Sequence, residues 1–330
     1  MKVAFLTETQ LEGKWTDNTT NVRTEIAWMI ALDADHYWVG NFTKVKGYDV
    51  VVVIFPKGGV SLSSEGIQLD DKPNRFSKLY ESLPIETLKK NNRFVAHMQE
   101  GPTWYVNDFS VKDQFNYFNQ LAECDFLFAH NHYDISWYKG LFPNKDVYWM
   151  PSLMLENLVE SIVPTPQEKT IIGGGFCRWY GGFQSYIIAD EFDVPIFVPA
   201  MHNTRPMEDQ VPNLTRLPYL QWFDWMKQLA TFKYAVHMMP TIAAGTFSMN
   251  CAYFGIPCIG NGRVATQSLC HPTLSVESED VAKARRLAKD LKEDAAFYKE
   301  CSDVAKRRYR EYFHISVYKE YMEKILKKYE

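Results

Sequence analysis

The chain has 330 residues, of which 46% are hydrophobic and 15% aromatic, and its formal net charge is −4. This length predicts two domains, and the apolar fraction is sufficient for a sizeable core. The charge balance argues against a protein-wide basic field for nucleic acid, and the six cysteines include no CxxC pair, which argues against zinc and redox motifs.

The N-terminal half alternates strand patterns with helical patterns. We predict strands at 3–6, 50–55, 93–98, 125–130 and 147–151, and helices at 22–32 and 111–122. The run Val50–Phe55 is β-branched and is followed by Pro56, which is typical of a parallel strand buried on both faces. The first residues read as a strand and not as a signal peptide, and no apolar stretch is long enough to cross a bilayer, so we expect a cytoplasmic protein.

The C-terminal half repeats this alternation after a segment with Pro164 and Pro166, which we interpret as a linker. We predict strands at 170–172, 195–198, 234–238 and 256–260, helices at 181–190, 219–229 and 248–254, and charged amphipathic helices from 279 to 328. The pattern indicates an α/β fold of two Rossmann-like domains facing a cleft. We assign an N-terminal domain to residues 1–165, a C-terminal domain to 166–312, and a helix that packs back on the first domain to 313–330.

A glycine-rich loop follows the strand predicted at 170–172. Gly174 and Gly175 let the backbone approach a ligand, and the helix N-terminus that follows presents N–H groups to a phosphate. The guanidinium of Arg178 can donate two parallel hydrogen bonds to a pyrophosphate. The loop matches neither the Walker pattern nor GxGxxG, and the plain alternative is a flexible turn. His202 and Arg205 follow another strand at the same edge and are further candidates for diphosphate or donor-sugar contacts.

The segment 97–108 begins at the carboxyl end of the strand predicted at 93–98, where ligands bind in open α/β sheets. A carboxylate at this edge can take a proton from a substrate hydroxyl, and Glu100 is the candidate base with Asp108 second. His97 is a third candidate near neutral pH. Trp104 and Tyr105 are candidates for stacking on a sugar or a base. The alternative is a surface turn with a core aromatic residue.

A second glycine opens the helix predicted at 248–254. Thr246 follows Gly245, so the helix N-terminus can face phosphate. Asn250 follows Gly245 by five positions, and Gly255, Pro257 and Ile259 come after it. This spacing resembles the donor segment of GT-B glycosyltransferases, and the alternative is a tight strand–helix–strand crossover. The resemblance implies that Asn250 holds the donor ribose, although the family has an acidic residue there, and that Ile242 replaces a glutamate found in many retaining members.

The loop with Gly174, Gly175, Phe176 and Arg178 is similar to one in the phage DNA glucosyltransferases, a group of GT-B enzymes. The resemblance implies a hexosyl- or pentosyltransferase that uses a nucleoside-diphosphate sugar, with a UDP-sugar as the expected donor and no permanently bound cofactor. The resemblance does not decide whether a divalent ion takes part in the reaction.

The leading acceptor is a hydroxymethylated pyrimidine in double-stranded phage DNA, which would place the protein in the host cytoplasm. The alternatives are a bacterial glycan or lipid-linked sugar and, in another class, a non-catalytic two-lobed ligand-binding protein. Basic clusters at 283–289 and 306–310 are candidate DNA contacts or solvated helix faces. We expect a monomer and no metal site, because His130 and His132 lack a third ligand nearby.

Overall fold

The computed structural model describes residues 1–7, 11–16, 24–55, 60–63, 66–69, 85–99, 103–108, 110–177, 179–200 and 206–330. The chain divides into two compact units. The first contains Met1–Pro151 and Tyr318–Glu330, and the second contains Ser152–Val317.

The first unit is built on a parallel sheet of six strands with a separate antiparallel hairpin. Its strands are β1 Val3–Thr7, β2 Asp35–Trp38, β3 Val50–Phe55, β4 Val60–Ser63, β5 Gly66–Leu69, β6 Phe94–Gln99, β7 Phe126–Ala129 and β8 Asp146–Trp149. The sheet order is β2-β1-β3-β6-β7-β8, and β4 pairs with β5. The run Val50–Phe55 occupies an interior position of the sheet, where Val51 and Val53 are fully buried.

Helices cover this sheet in the order of the chain. The α-helices are Thr24–Ala31, Ile85–Asn91, Val111–Glu123, His132–Leu141 and Ile315–Leu326, and short 3-10 helices are Val39–Lys44, Thr103–Asp108 and Lys327–Tyr329. The chain ends against the same sheet, because the ring of Tyr329 stacks on Phe126 with centroids 4.1 Å apart. The backbone N–H of Trp149 also donates to the hydroxyl of Tyr321 at 3.2 Å.

The second unit has its own parallel sheet of six strands. Its strands are β9 Gln167–Ile172, β10 Ile196–Val198, β11 Leu214–Arg216, β12 Phe232–His237, β13 Cys258–Asn261 and β14 Ser275–Val276, in the order β11-β10-β9-β12-β13-β14. The α-helices are Gly182–Ala189, Trp222–Leu229, Thr246–Phe254, Ala265–Cys270, Val281–Glu293 and Ala295–Tyr312. Short 3-10 helices are Glu156–Leu158, Asp190–Phe192, Glu208–Gln210 and Pro272–Leu274. The α/β prediction is therefore confirmed, since each unit is a Rossmann-like parallel sheet with interleaved helices.

Some elements lie outside the predicted pattern for local reasons. Strand β2 begins Asp35-His36 and so lacks an apolar run, although the His36 side chain is buried. Strand β9 starts at Gln167, three residues before the predicted 170, because its first residues extend beyond the core and are exposed. The helix His132–Leu141 is not among the predicted helices, since its polar start masks the helical spacing. Among the described residues, no helix is long and apolar enough to cross a membrane.

Candidate functional site

The glycine-rich loop at the carboxyl end of β9 is packed too tightly for side chains. A Cβ atom on Gly173 would overlap the His237 ring, and one on Gly174 would lie 2.5 Å from Cγ of Tyr180. Among the described residues, a Cβ on Gly175 would meet only Oε1 of Glu208, at 3.7 Å. The first two glycines are therefore required by close packing, and the third lies against a buried carboxylate.

The helix Gly182–Ala189 begins directly after this loop. Gly181 precedes it with a φ of +61°, a left-handed conformation that favours glycine, and no side chain caps the helix. Ser185 Oγ accepts a hydrogen bond from the backbone N–H of Met238 at 2.9 Å, which joins the helix to the segment after β12. The first N–H groups of a helix have no partner inside the helix, so this end can bind an anion.

The second glycine-opened helix follows β12, the neighbour of β9 in the sheet. Gly245 has a φ of +69°, and its carbonyl oxygen accepts from Thr266 Oγ1 at 2.7 Å and from Ser248 Oγ at 3.2 Å. The helix Thr246–Phe254 has no side-chain cap. The two helix N-termini thus follow adjacent parallel strands, at the edge of the sheet where ligands bind in α/β folds.

Asn250 lies on the second of these helices and is only 5% exposed. An amide both donates and accepts hydrogen bonds, which suits this side chain to a ligand hydroxyl.

His237 lies between the two glycine segments at the end of β12. Its ring stacks on Tyr180 with centroids 6.2 Å apart and meets Phe247 edge-on at 5.1 Å. Burial lowers the pKa of His237 to about 4, so the imidazole is neutral at pH 7. It can therefore exchange hydrogen bonds with a ligand without adding charge.

Five of the predicted donor residues are placed by the structure at this sheet edge. They are Gly174, Gly175, Gly245, Thr246 and Asn250. The other three predicted donor residues, Arg178, His202 and Arg205, lie outside the described residues.

The predicted catalytic segment follows β6 in the first unit. His97 lies within β6, not after it, and is completely buried with its ring edge-on to Tyr117 at 5.6 Å. Burial lowers its pKa to about 3, so His97 is a weak proton acceptor near pH 7, and this environment argues against the role of base predicted for it. Glu100 lies outside the described residues.

The helix Thr103–Asp108 carries the other predicted residues of this segment. Trp104 is half-buried. Tyr105 and Asp108 belong to the same helix, but their side chains lie outside the described part of the structure. The structure therefore groups these three residues on one short element, close in sequence to Glu100.

Asp134 is a buried carboxylate that the sequence analysis missed. It forms a reciprocal cap with Asn131, in which Asp134 N donates to Asn131 Oδ1 at 2.9 Å and Asn131 Nδ2 donates to Asp134 Oδ2 at 2.7 Å. The backbone N–H of Thr103 donates to Asp134 Oδ1 at 3.4 Å, which fastens the helix Thr103–Asp108. Burial raises the pKa of Asp134 to about 6. The Asn-x-x-Asp spacing of a capping box was the available sequence signal.

Glu208 and Arg216 form a second group that the sequence analysis missed. Arg216 Nη1 lies 2.5 Å from Glu208 Oε1, and the Glu208 side chain is only 4% exposed. This is the same oxygen that faces Gly175. The Glu208 carboxylate therefore lies between Arg216 and the glycine-rich loop.

The first predicted basic cluster is partly neutralised by acidic residues. On the helix Val281–Glu293, Arg285 and Lys289 form ion pairs with Glu191, the second at 3.4 Å, and Lys292 pairs with Asp193. These contacts favour the interpretation of this cluster as a solvated helix face. Among the described residues, no group of three or more histidine, cysteine or acidic side chains could hold a metal ion.

No protein-family model matches the chain, and no curated protein matches it. Solved structures do match. An alpha-glucosyltransferase in complex with UDP and a 13-mer DNA containing an HMU base is 11% identical, with 100% of this chain and 99% of that chain covered and a TM-score of 0.60. Anabaena HepE in complex with UDP and glucose is 8% identical, with 99% and 100% covered and a TM-score of 0.65.

A TarM variant from S. aureus, in complex with Fondaparinux, alpha-GlcNAc-glycerol and UDP, is 11% identical with a TM-score of 0.60. The match covers 88% of this chain but spans only 58% of the TarM chain. Identities this low establish the fold alone. The chain has the GT-B fold of two Rossmann-like domains, as its residues predicted.

Proposed function

We propose that this protein is a glycosyltransferase that moves a sugar from a nucleoside-diphosphate sugar, with a UDP-sugar as donor, to an acceptor hydroxyl. The observation that carries the proposal is the pair of uncapped, glycine-opened helices that follow β9 and β12. Two helix N-termini at one sheet edge provide backbone N–H groups for two phosphates. The likeness to UDP-bound structures of the same fold agrees with this donor.

The donor is held by residues from both glycine segments. Gly174 and Gly175 allow the diphosphate to approach the backbone, and Arg178 neutralises its charge. Asn250 supplies its buried amide to the ribose hydroxyls, with one acceptor and two donors. The transfer requires no permanently bound cofactor, and whether a divalent ion assists is decided by activity with and without a chelator.

The reaction is an inverting displacement at the anomeric carbon. The acceptor oxygen forms the new bond to this carbon as the bond to the diphosphate breaks. Glu100 takes the acceptor proton, and the negative charge on the leaving UDP is stabilised by Arg178 and the helix N-termini. A β-linked product from a UDP-α-sugar is expected in NMR of the product. An α-linked product would refute inversion and leave the transferase assignment intact.

The acceptor we propose is a hydroxymethylated pyrimidine in DNA. The support is the likeness, over nearly the whole of both chains, to an alpha-glucosyltransferase bound to DNA with an HMU base. A glycan hydroxyl is the second candidate, and the ion pairs of Arg285, Lys289 and Lys292 favour it because these cations are partly neutralised.

The test is transfer of labelled sugar from UDP-glucose or UDP-N-acetylglucosamine to duplex DNA with hydroxymethylcytosine, compared with the same duplex containing cytosine. Label on the modified duplex alone, lost in Arg178→Ala and Glu100→Gln, is expected. Transfer to neither duplex, with turnover on a glycan acceptor, would refute the DNA acceptor. A protein that binds no nucleotide and consumes no UDP-sugar would refute the glycosyltransferase.

A further inference from the structure

Two buried hydroxyl groups meet a backbone carbonyl at the start of the helix Thr246–Phe254. Thr266 Oγ1 donates to the carbonyl oxygen of Gly245 at 2.7 Å. Ser248 Oγ lies 2.9 Å from Thr266 Oγ1 and 3.2 Å from the same carbonyl oxygen. Thr266 and Ser248 are each only 2% exposed. The three oxygens therefore form a closed network, largely shielded from water, in which each hydrogen bond polarises the next.

This network holds the Gly245 carbonyl more closely than the helix itself does. The first bond of the helix runs from the backbone N–H of Met249 to the Gly245 oxygen and is long, at 3.5 Å. The Thr266 hydroxyl comes from the helix Ala265–Cys270, which follows β13, the neighbour of β12 in the sheet. The direction of the Gly245 carbonyl is thus set by a side chain from another element.

The direction of this carbonyl fixes the direction of the next N–H group. The peptide bond between Gly245 and Thr246 is trans, and a planar trans peptide points its C=O and its N–H in opposite directions. Because Thr266 holds the C=O toward the helix Ala265–Cys270, the Thr246 N–H is turned away from that helix. It is one of the first N–H groups of its own helix, which have no acceptor inside the helix.

A second hydroxyl orients the preceding peptide group. Ser152 Oγ donates to the carbonyl oxygen of Ala244 at 2.6 Å, and Ser152 is only 2% exposed. The Gly245 N–H lies opposite that carbonyl by the same geometry. Two consecutive peptide groups at the start of the helix are therefore held by buried side chains from other parts of the chain.

Glycine at position 245 is required for this close approach. A Cβ on Gly245 would overlap Thr266 Oγ1 and would lie 2.5 Å from Cγ1 of Val264. The φ of +69° at Gly245 favours glycine as well. The hydrogen bond from Thr266 therefore depends on glycine at this position.

A buried histidine nitrogen points to a ligand beside the same helix. Nε2 of His237 is buried and has no hydrogen-bond partner among the described residues. The His237 ring meets Phe247, in the first turn of the helix, edge-on at 5.1 Å. A buried polar atom without a partner is costly, and a polar ligand at this helix N-terminus would supply the missing partner.

We propose that Thr266 is a positioning residue whose hydroxyl, through the Gly245 carbonyl, aims the Thr246 N–H at the donor diphosphate. Ser152 aims the Gly245 N–H in the same way through the Ala244 carbonyl. The inference rests on the proposed nucleotide-sugar donor. Both hydroxyls are buried and act through the backbone, so that the N–H groups are already oriented before the diphosphate binds.

The experiment is calorimetric titration of the full chain with uridine and with UDP. Thr266→Val replaces the hydroxyl with a methyl group and is expected to weaken UDP binding about 3- to 10-fold, the worth of one neutral hydrogen bond, while uridine binding stays unchanged. Thr266→Ser keeps the hydroxyl and is expected to keep the wild-type UDP affinity. Ser152→Ala is expected to weaken UDP binding in the same selective way as Thr266→Val.

Ser268→Ala is the matched control. Ser268 lies on the same helix as Thr266, but its hydroxyl donates to a carbonyl of its own helix, that of Ala265 at 3.3 Å, so its loss should leave both affinities unchanged. An unchanged UDP affinity in Thr266→Val, equal losses for uridine and UDP, or a Thr266→Ser variant as weak as Thr266→Val would overturn the inference.

Ser152→Ala decides the question if Thr266→Val does not fold, and an unchanged UDP affinity in Ser152→Ala then overturns the inference. In each of these cases a wild type that binds UDP leaves the proposed function standing. A wild type that binds no UDP refutes the proposed function, and this inference with it.

Discussion

Acidification from pH 7.5 to 5.5 is expected to destabilise this fold through its buried histidines. Burial lowers the pKa of His97 to about 3 and those of His237 and His271 to about 4. In the unfolded chain an imidazole has a pKa of about 6.5 and takes up a proton below that pH. The unfolded state therefore binds more protons in this window, and the free energy of unfolding falls as pH falls.

The magnitude follows from linkage. Each of the three histidines costs about 1.3 kcal/mol between pH 7.5 and 5.5, which sums to about 4 kcal/mol. Asp134 acts in the opposite direction, because its folded pKa of about 6 lies above its ordinary value of 3.8 and protonation then favours the folded state. It returns about 1 kcal/mol over the same window, so the net loss is about 3 kcal/mol.

Urea unfolding at a series of pH values, followed by far-UV circular dichroism, measures this loss. His271→Gln should reduce the slope of unfolding free energy against pH by one proton below pH 6. His132→Gln, which replaces a histidine at an exposed position, is the matched control for the substitution itself. A wild-type free energy of unfolding that stays constant from pH 7.5 to 5.5 would refute the reasoning.

The remaining predictions concern the donor site and its support. Gly173→Ala should destabilise the fold by about 1–3 kcal/mol and abolish UDP binding, because the new Cβ overlaps the His237 ring. Gly140→Ala, where a Cβ meets none of the described atoms within 4 Å, should instead stabilise the helix by about 0.5–1 kcal/mol, and thermal melts compare the two. Asn250→Leu should weaken UDP binding about tenfold or more by loss of the ribose hydrogen bonds, and equal affinity in calorimetry would contradict the ribose role. Asp134→Asn should remove the stabilising contribution between pH 7.5 and 5.5, so its unfolding free energy should fall by about 1 kcal/mol more than that of the wild type.

Local patterns in the sequence were sufficient to predict most strands of the two sheets. The β-branched run Val50–Phe55 forms β3, and its burial on both faces leaves no polar alternation to interpret. Gly245 was predicted to open a helix, and its left-handed φ gives the physical reason for glycine at that position. Such features depend on residues that are close together in the sequence, and a local sequence pattern can therefore predict them.

The parts that the sequence did not predict depend on contacts between distant or irregular segments. Glu208 and Arg216 meet across a turn and a short strand, and nothing in their spacing marks the pair. His97 is a candidate base because it lies close to Glu100 in the sequence, but the neighbouring strands on both sides bury it. Burial is set by the assembled sheet, and the same burial then shifts the pKa away from the predicted role.

Thermal unfolding with a panel of nucleotides and nucleotide-sugars tests the central claim most directly. A ligand that binds only the folded state, at a hundred times its dissociation constant, adds about 2.7 kcal/mol to the free energy of unfolding. The account predicts that UDP or a UDP-sugar raises the melting temperature of the wild type and that Arg178→Ala removes the shift. The absence of any shift with every nucleotide at millimolar concentration would contradict a nucleotide-sugar donor site.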